Sequence, residues 1–243
     1  MLRGKPRRWI WMMLTRIEAS TSPLGLLYQR LRWGALGVYV WRSLHVPGWT
    51  RGTEARALAR VSYGLPEHAR IVEIGTFLGS GTILLAGARK LRGSGRVYCV
   101  DPFDASGDAF SAAVYRAIRD GQPRPLRDQF TVNMEQAGLD AFVEVRQGAA
   151  TDAAMGWSAP IDLLFLDGDQ SFAGVQAAYH AWAPFLKVGG VLAIHNSAPR
   201  VYEPDHDGHY RLVRESIRAP FYAEICLVGT TTFARKCAQE DVS

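Results

Sequence analysis

Five short apolar runs recur along the chain, and each is followed by a polar residue or a glycine. Residues 70–74 lead to Gly75, 96–100 to Asp101, 142–146 to Gly148, 161–166 to Asp167 and 191–194 to His195-Asn196. Their apolar character is nearly continuous, which suits strands buried on both faces of a parallel sheet. Helical spacing fills the intervals. Ile83, Leu84 and Leu85 point inward from a helix over 80–91, and Phe172, Val175, Tyr179, Trp182 and Leu186 form one stripe over 171–186. A polar helical region over 106–137 breaks between Gly121 and Pro125 and stops at Gly138. Thr53 caps a helix that runs to Tyr63 and ends at Gly64, and another helix begins near Asp207 with Leu212, Val213 and Ile217 inward. The last two apolar stretches, 222–228 and 231–235, flank Gly229-Thr230 and read as an antiparallel hairpin. Alternating strands and helices predict an α/β, Rossmann-like doubly wound sheet. It has five parallel strands, is closed by the C-terminal antiparallel hairpin, and carries an N-terminal helical extension.

The first strand carries an acid, Glu73, and runs into Gly75-Thr76-Phe77-Leu78-Gly79-Ser80-Gly81-Thr82. A glycine-rich turn lets backbone approach a ligand closely, and the helix that follows aims unpaired N–H groups at it. Asp101, twenty-two residues beyond Gly79, closes the second strand, where a carboxylate can accept hydrogen bonds from a ribose diol. Together they predict a nucleoside-bearing cofactor. The spacing E-x-G-x-x-x-G-x-G differs from the dinucleotide fingerprint G-x-G-x-x-G. It resembles the first motif of class I S-adenosylmethionine-dependent methyltransferases. The resemblance covers about residues 53–236. It implies that Glu73, Gly75, Thr76, Gly79, Ser80 and Thr82 lie near the methionine part of the cofactor, with Asp101 on the ribose. It also implies that the Gly148-Ala149-Ala150 turn accommodates the adenine.

The ends of the fourth and fifth strands, Asp167 and His195-Asn196, are similar to the subgroup that includes antibiotic-sugar (macrocin-type) and catechol-type O-methyltransferases. In many of these, acids and an asparagine at these places hold a magnesium ion that lowers the pKa of the acceptor hydroxyl. The resemblance carries Asp167 and Asn196 over as metal-ligand positions, with Asp167 also beside the cofactor. His195 departs from it, because an acid is usual there, and Gln170 stands where histidine is frequent. Histidine favours borderline metals and magnesium prefers oxygen. His195 therefore has three readings: a general base near the transferred methyl, a ligand with Asp167 and Asn196, or a structural hydrogen-bonding group. Asp205, His206 and His209 stand in a loop expected over the acceptor pocket, where they either bind the acceptor or cap the next helix.

At 243 residues and 48% hydrophobic, the chain can bury one substantial core. The net charge of +5 is unevenly spread. Residues 1–60 hold eleven Lys/Arg against two Glu, leaving the remainder at −4. Residues 1–52 are thus read as a basic, Trp-rich helical extension in two pieces broken near Ser20–Pro23, and 53–243 as the catalytic domain. The extension either packs on the core or on another copy in a homo-oligomer, or touches a membrane or an acidic partner through residues 1–50. No recognised nucleic-acid module is present, so no specific nucleic acid is expected. Arginines interrupt the arm too often for a bilayer span. The three cysteines imply no disulfide framework, so a cytoplasmic enzyme is expected. The expected function is O-methylation of a small-molecule hydroxyl. The alternatives are another reaction on the same scaffold (hydroxylase-associated or aminopropyl transfer), or a non-catalytic cofactor-binding domain that docks through its basic arm.

Overall fold

A computed structural model describes residues 16–239. One sheet holds seven strands: β1 Arg70–Ile74, β2 Arg96–Asp101, β3 Val143–Gln147, β4 Ile161–Leu166, β5 Leu186–Ile194, β6 Tyr222–Val228 and β7 Thr231–Lys236. Their order is β3-β2-β1-β4-β5-β7-β6. The first five are mutually parallel; β7 runs antiparallel to β5, and β6 antiparallel to β7. Every residue of the central β4 is buried, and Asp162, the one polar residue in it, accepts the Arg70 N–H at 2.8 Å. Successive strand residues serve opposite layers. Ile71 and Leu163 join one core with Leu58, Leu84 and Phe130, while Val72 and Leu164 join the other with Tyr179, Trp182 and Leu212.

The helices are α1 Pro23–Trp33, α2 Leu36–Ser43, α3 Gly52–Gly64, α4 Ser80–Arg92, α5 Ala109–Asp120, α6 Leu126–Ala137, α7 Ala150–Ala154, α8 Phe172–Trp182 and α9 Gly208–Ser216. The N-terminal segment is built into the fold. Tyr39 and Val40 of α2 and Val46 share a core with Leu58 and Ile71. The Tyr39 ring lies close enough to α4 that a Cβ at Gly87 would come within 2.2 Å of it. Only part of the segment before Ser20 falls among the described residues, and Gly34 divides the rest into α1 and α2.

Three boundaries differ from the sequence reading, the first being the helix expected over 171–186, which ends at Trp182 and leaves Leu186 to open β5. Arg51, not Thr53, occupies the N-cap of α3, and its N–H donates to Glu54 at 3.4 Å. Gly189-Gly190 lies inside β5 and does not precede it. Pairing with β4 jumps from Ile161↔Leu186 to Leu163↔Val191, so these glycines absorb a bulge.

Candidate functional site

The carboxyl ends of the parallel strands meet along one edge, and sheet hydrogen bonds hold the residues just beyond them. The N–H of Gly75 donates to Val100, that of Asp167 to Ile74, that of His195 to Leu166 and that of Gly148 to Asp101, at 2.9–3.1 Å. Gly75 takes φ +86°, and a Cβ there would strike the backbone of Gly168 at 2.4 Å. Only glycine lets the β1 and β4 loops approach so closely. Asp101 organises the next two turns. One carboxylate oxygen accepts the Phe77 N–H at 2.7 Å and the other the Phe103 N–H at 2.6 Å. Phe77, Phe103 and Ala105 all adopt positive φ, a local strain concentrated around this acid. Burial pushes the Asp101 carboxyl above its ordinary pKa, against the pull of those N–H groups.

Two cavities open on the edge. One, of about 280 Å³, runs over Gly75, Phe77, Asp101, Gly148, Ala149 and Gly168. The other, of about 330 Å³, is walled by Trp49, Phe110, Val114 and Tyr115 and carries Glu54, His195, Asn196, Arg200 and His206. Asp167 and Tyr115 line both. Aromatic contacts hold Tyr115 against Trp49 and Phe77, with ring centroids 5.1 and 5.0 Å apart. Burial and the nearby Asp167 raise the Tyr115 phenol above its ordinary pKa, so it stays neutral.

His195, only 2% exposed, stands between two carboxylates. Its Nδ1 is 2.6 Å from Asp167 Oδ1, and its Nε2 is 3.7 Å from Glu54 Oε1. Burial alone would lower its pKa, but Asp167 and then Glu54 raise it to about 10. Glu54 reaches the site from the first turn of α3, where its Oε2 accepts the Thr230 N–H at 2.8 Å and hydroxyls of Thr230 and Thr231. Burial would raise the Glu54 pKa; His195 and Thr230 outweigh it and hold it at about 2. The site therefore contains a buried imidazolium between two carboxylates. With its pKa raised to about 10, His195 donates to Asp167 near neutral pH. His209, buried below, bonds the His195 carbonyl through Nδ1 at 2.6 Å, and burial lowers its pKa.

The profile of a family described as "Methyltransferase domain" matches residues 72–197, just over half of the chain. The chain belongs to the methyltransferase-domain family. Solved structures share the fold of this methyltransferase. Cofactor-bound Rv0187 from MTB is 20% identical, with a TM-score of 0.59 over 89% of this chain and 97% of that one. The O-methyltransferase TomG from Streptomyces achromogenes, in complex with SAM, is 20% identical, with a TM-score of 0.55 over 84% and 90%. An rRNA methylase from Streptococcus thermophilus is 13% identical, with a TM-score of 0.53 over 79% and 100%.

Among the residues expected at the cofactor, Gly75, Asp101, Ala149 and Asp167 line the first cavity of the methyltransferase. Thr76 and Ser80 face a narrow cleft between the glycine loop and residues 47–50, which Glu73 also borders. Two others lie away from these openings. A Cβ on Gly79 would meet Met134 and Phe130, so that glycine serves helix packing, and it borders neither cavity nor the cleft. Thr82 lies behind the loop, donating to the Glu73 carboxyl. Burial raises the Glu73 pKa far above the usual range, and Gly81 leaves room for its oxygen. The metal positions do not fit a divalent ion. Asp167 is taken up by imidazolium, Asn196 Oδ1 accepts from Arg200, and Asn196 Nδ2 donates to Gln170. Among the described residues no cluster of three His, Cys, Asp or Glu could hold one. His206 borders the second cavity and pairs with Asp108 at 3.0 Å, while Asp207 takes the N-cap of α9 without a side-chain cap bond. The sequence reading missed Trp49, Thr50, Glu54 and Tyr115.

Proposed function

We propose that this methyltransferase uses S-adenosylmethionine to methylate a hydroxyl of a small molecule. The observation that carries the reading is the meeting of the two cavities at Asp167 and Tyr115. A methyl donor in one and a hydroxyl in the other face each other across these two side chains.

The first cavity fits the nucleoside. Asp101 borders it, and its carboxylate oxygens retain acceptor capacity for a ribose hydroxyl beside the backbone N–H groups they accept. Gly148 and Ala149 leave space for a flat base. In the cleft beside them, Thr76 Oγ1 is buried without a hydrogen bond of normal geometry, although it interacts with the Cys99 thiol. That hydroxyl suits the polar end of the methionine moiety.

When bound, S-adenosylmethionine supplies an electrophilic methyl on a sulfonium. The chain's task is alignment, water exclusion and management of the hydroxyl proton. Asp167 accepts a hydrogen bond from the acceptor hydroxyl and takes up its proton as the O–CH3 bond forms and the S–CH3 bond breaks, while Thr50 donates to its Oδ2 at 3.4 Å and His195 steadies its Oδ1. His195 acts as a fixed positive charge that keeps the two carboxylates in place and offsets negative charge developing on the acceptor oxygen. It engages Asp167, one of the two positions that the sequence resemblance assigns to a metal. Trp49, Phe110, Val114 and Tyr115 suit an apolar or aromatic acceptor body, and a cavity of about 330 Å³ suits a small molecule better than a polynucleotide. The O-methyltransferase activity named for TomG supports the hydroxyl acceptor.

Calorimetry with S-adenosylmethionine and S-adenosylhomocysteine, followed by mass spectrometry over a library of hydroxylated compounds, tests both halves. Folded protein that gives heat with neither ligand overturns the cofactor assignment. Binding with transfer only to nitrogen or carbon acceptors overturns the hydroxyl.

A further inference from the structure

The outermost helix, α1, carries an apolar face with nothing packed on it among the described residues. Leu24, Leu27 and Leu31 are 58%, 53% and 81% exposed. Their spacing places them on one side of the helix. The opposite side is fixed to the body. Gly25 and Gln29 are buried, and Gly37 of α2 packs so closely on Gln29 that a Cβ would approach its carbonyl oxygen to 2.1 Å. The exposed face is thus held outward by a rigid helical hairpin.

Charge identifies what this face meets. The helix contains Arg30 and Arg32 and no acid. Residues 1–16 add Arg3, Lys5, Arg7, Arg8 and Arg16, interleaved with Trp9, Ile10, Trp11, Met12, Met13 and Leu14, again with no acid. Glu18, the sole acid before residue 54, is engaged by Arg56. A second copy would set these cations against their own kind, and so would folding residues 1–16 back onto α1. An anionic bilayer satisfies the leucines and the arginines together: apolar side chains enter the headgroup boundary, and each basic residue gains from the negative surface potential.

We propose that Leu24, Leu27, Leu31, Arg30 and Arg32 form a surface that docks this methyltransferase on anionic phospholipid membranes. Docking is peripheral, since no described helix is long and apolar enough to cross a bilayer. The remainder of the chain, at −4 beyond residue 60, is repelled by the same surface and turned away from it.

Sedimentation of the full chain with vesicles tests the proposal. Mixed phosphatidylcholine–phosphatidylglycerol vesicles should bind at least tenfold more tightly than pure phosphatidylcholine, and added salt should release the protein. Replacing the three leucines together (Leu24→Gln, Leu27→Gln, Leu31→Gln) should weaken binding at least tenfold, with circular dichroism and methyl transfer unchanged. Arg30→Gln with Arg32→Gln, which leaves the apolar face intact, should weaken it several-fold on the anionic vesicles. Equal binding to both vesicle types overturns the proposal, as does wild-type binding by either variant. A dimer in analytical ultracentrifugation that the leucine variant dissolves, without vesicle binding, assigns the face to a second copy and overturns it too.

Discussion

Asp167 and Glu54 compete for one imidazole, and that competition sets the chemistry of His195. Two carboxylates at 2.6 and 3.7 Å outweigh the cost of burying a charge and raise its pKa to about 10. If the cation is the working form, kcat/KM for methyl transfer holds near neutrality and falls as pH approaches about 10; a base of that pKa would make it rise. Glu54→Gln keeps a hydrogen-bonding side chain but removes one negative neighbour, so a pH–rate profile should show the fall at lower pH. Stability follows the same linkage. The folded pKa lies above the ordinary histidine value of about 6.5. The contribution is therefore complete below pH ~6.5 and disappears as pH rises through about 10. Denaturant titrations across that window should show wild-type stability declining more steeply than that of His195→Gln. A chelator should leave turnover unchanged, because Asp167 is engaged by His195 and Asn196 by Arg200 and Gln170; loss of activity that magnesium restores would return Asp167 and Asn196 to the ligand role.

Close approach between elements is set by glycines whose purpose is packing. A methyl group at Gly87 would lie 2.2 Å from the Tyr39 ring, so Gly87→Ala should cost about 1–3 kcal/mol and lower the urea midpoint without altering the slope. Trimming the ring in Tyr39→Leu/Gly87→Ala should recover part of that loss, a coupling that separate effects would not show. Such contacts mark the limit of what the sequence discloses. The strands were legible because their apolar runs are nearly continuous, and the acids at their carboxyl ends because topology places all of those ends on one edge. Asp101 and Asp167 could be read that way. Glu54, Trp49 and Tyr115 could not: they sit on or beside α3 and α5, and only tertiary packing brings them to the sheet. The pattern of Gly79 resembled a ligand loop, yet its space is taken by Phe130 and Met134 of α6. Gly189-Gly190 looked like a strand boundary because a bulge and a turn call for the same residue.

At the scale of the whole molecule, the first cavity lies between loops that follow β1, β2, β3 and β4, so a ligand there links segments far apart in sequence. Asp101 is the pivot, since its carboxylate already fixes the Phe77 and Phe103 turns. A ligand that binds only the folded state stabilises it by mass action. At about 100 times its dissociation constant, S-adenosylhomocysteine should add roughly 2.7 kcal/mol, raising the melting temperature by about 5–10 °C in a chain of this size. Asp101→Ala should melt lower even without ligand, because two strained turns lose their anchor. The informative quantity is therefore the increment on adding ligand, which should shrink to near zero in the variant. His195→Gln should retain most of it, because His195 borders the second cavity and not the first. An increment that survives Asp101→Ala but disappears in His195→Gln would mean that the nucleoside occupies the other cavity, and the assignment of donor and acceptor sides would have to be exchanged.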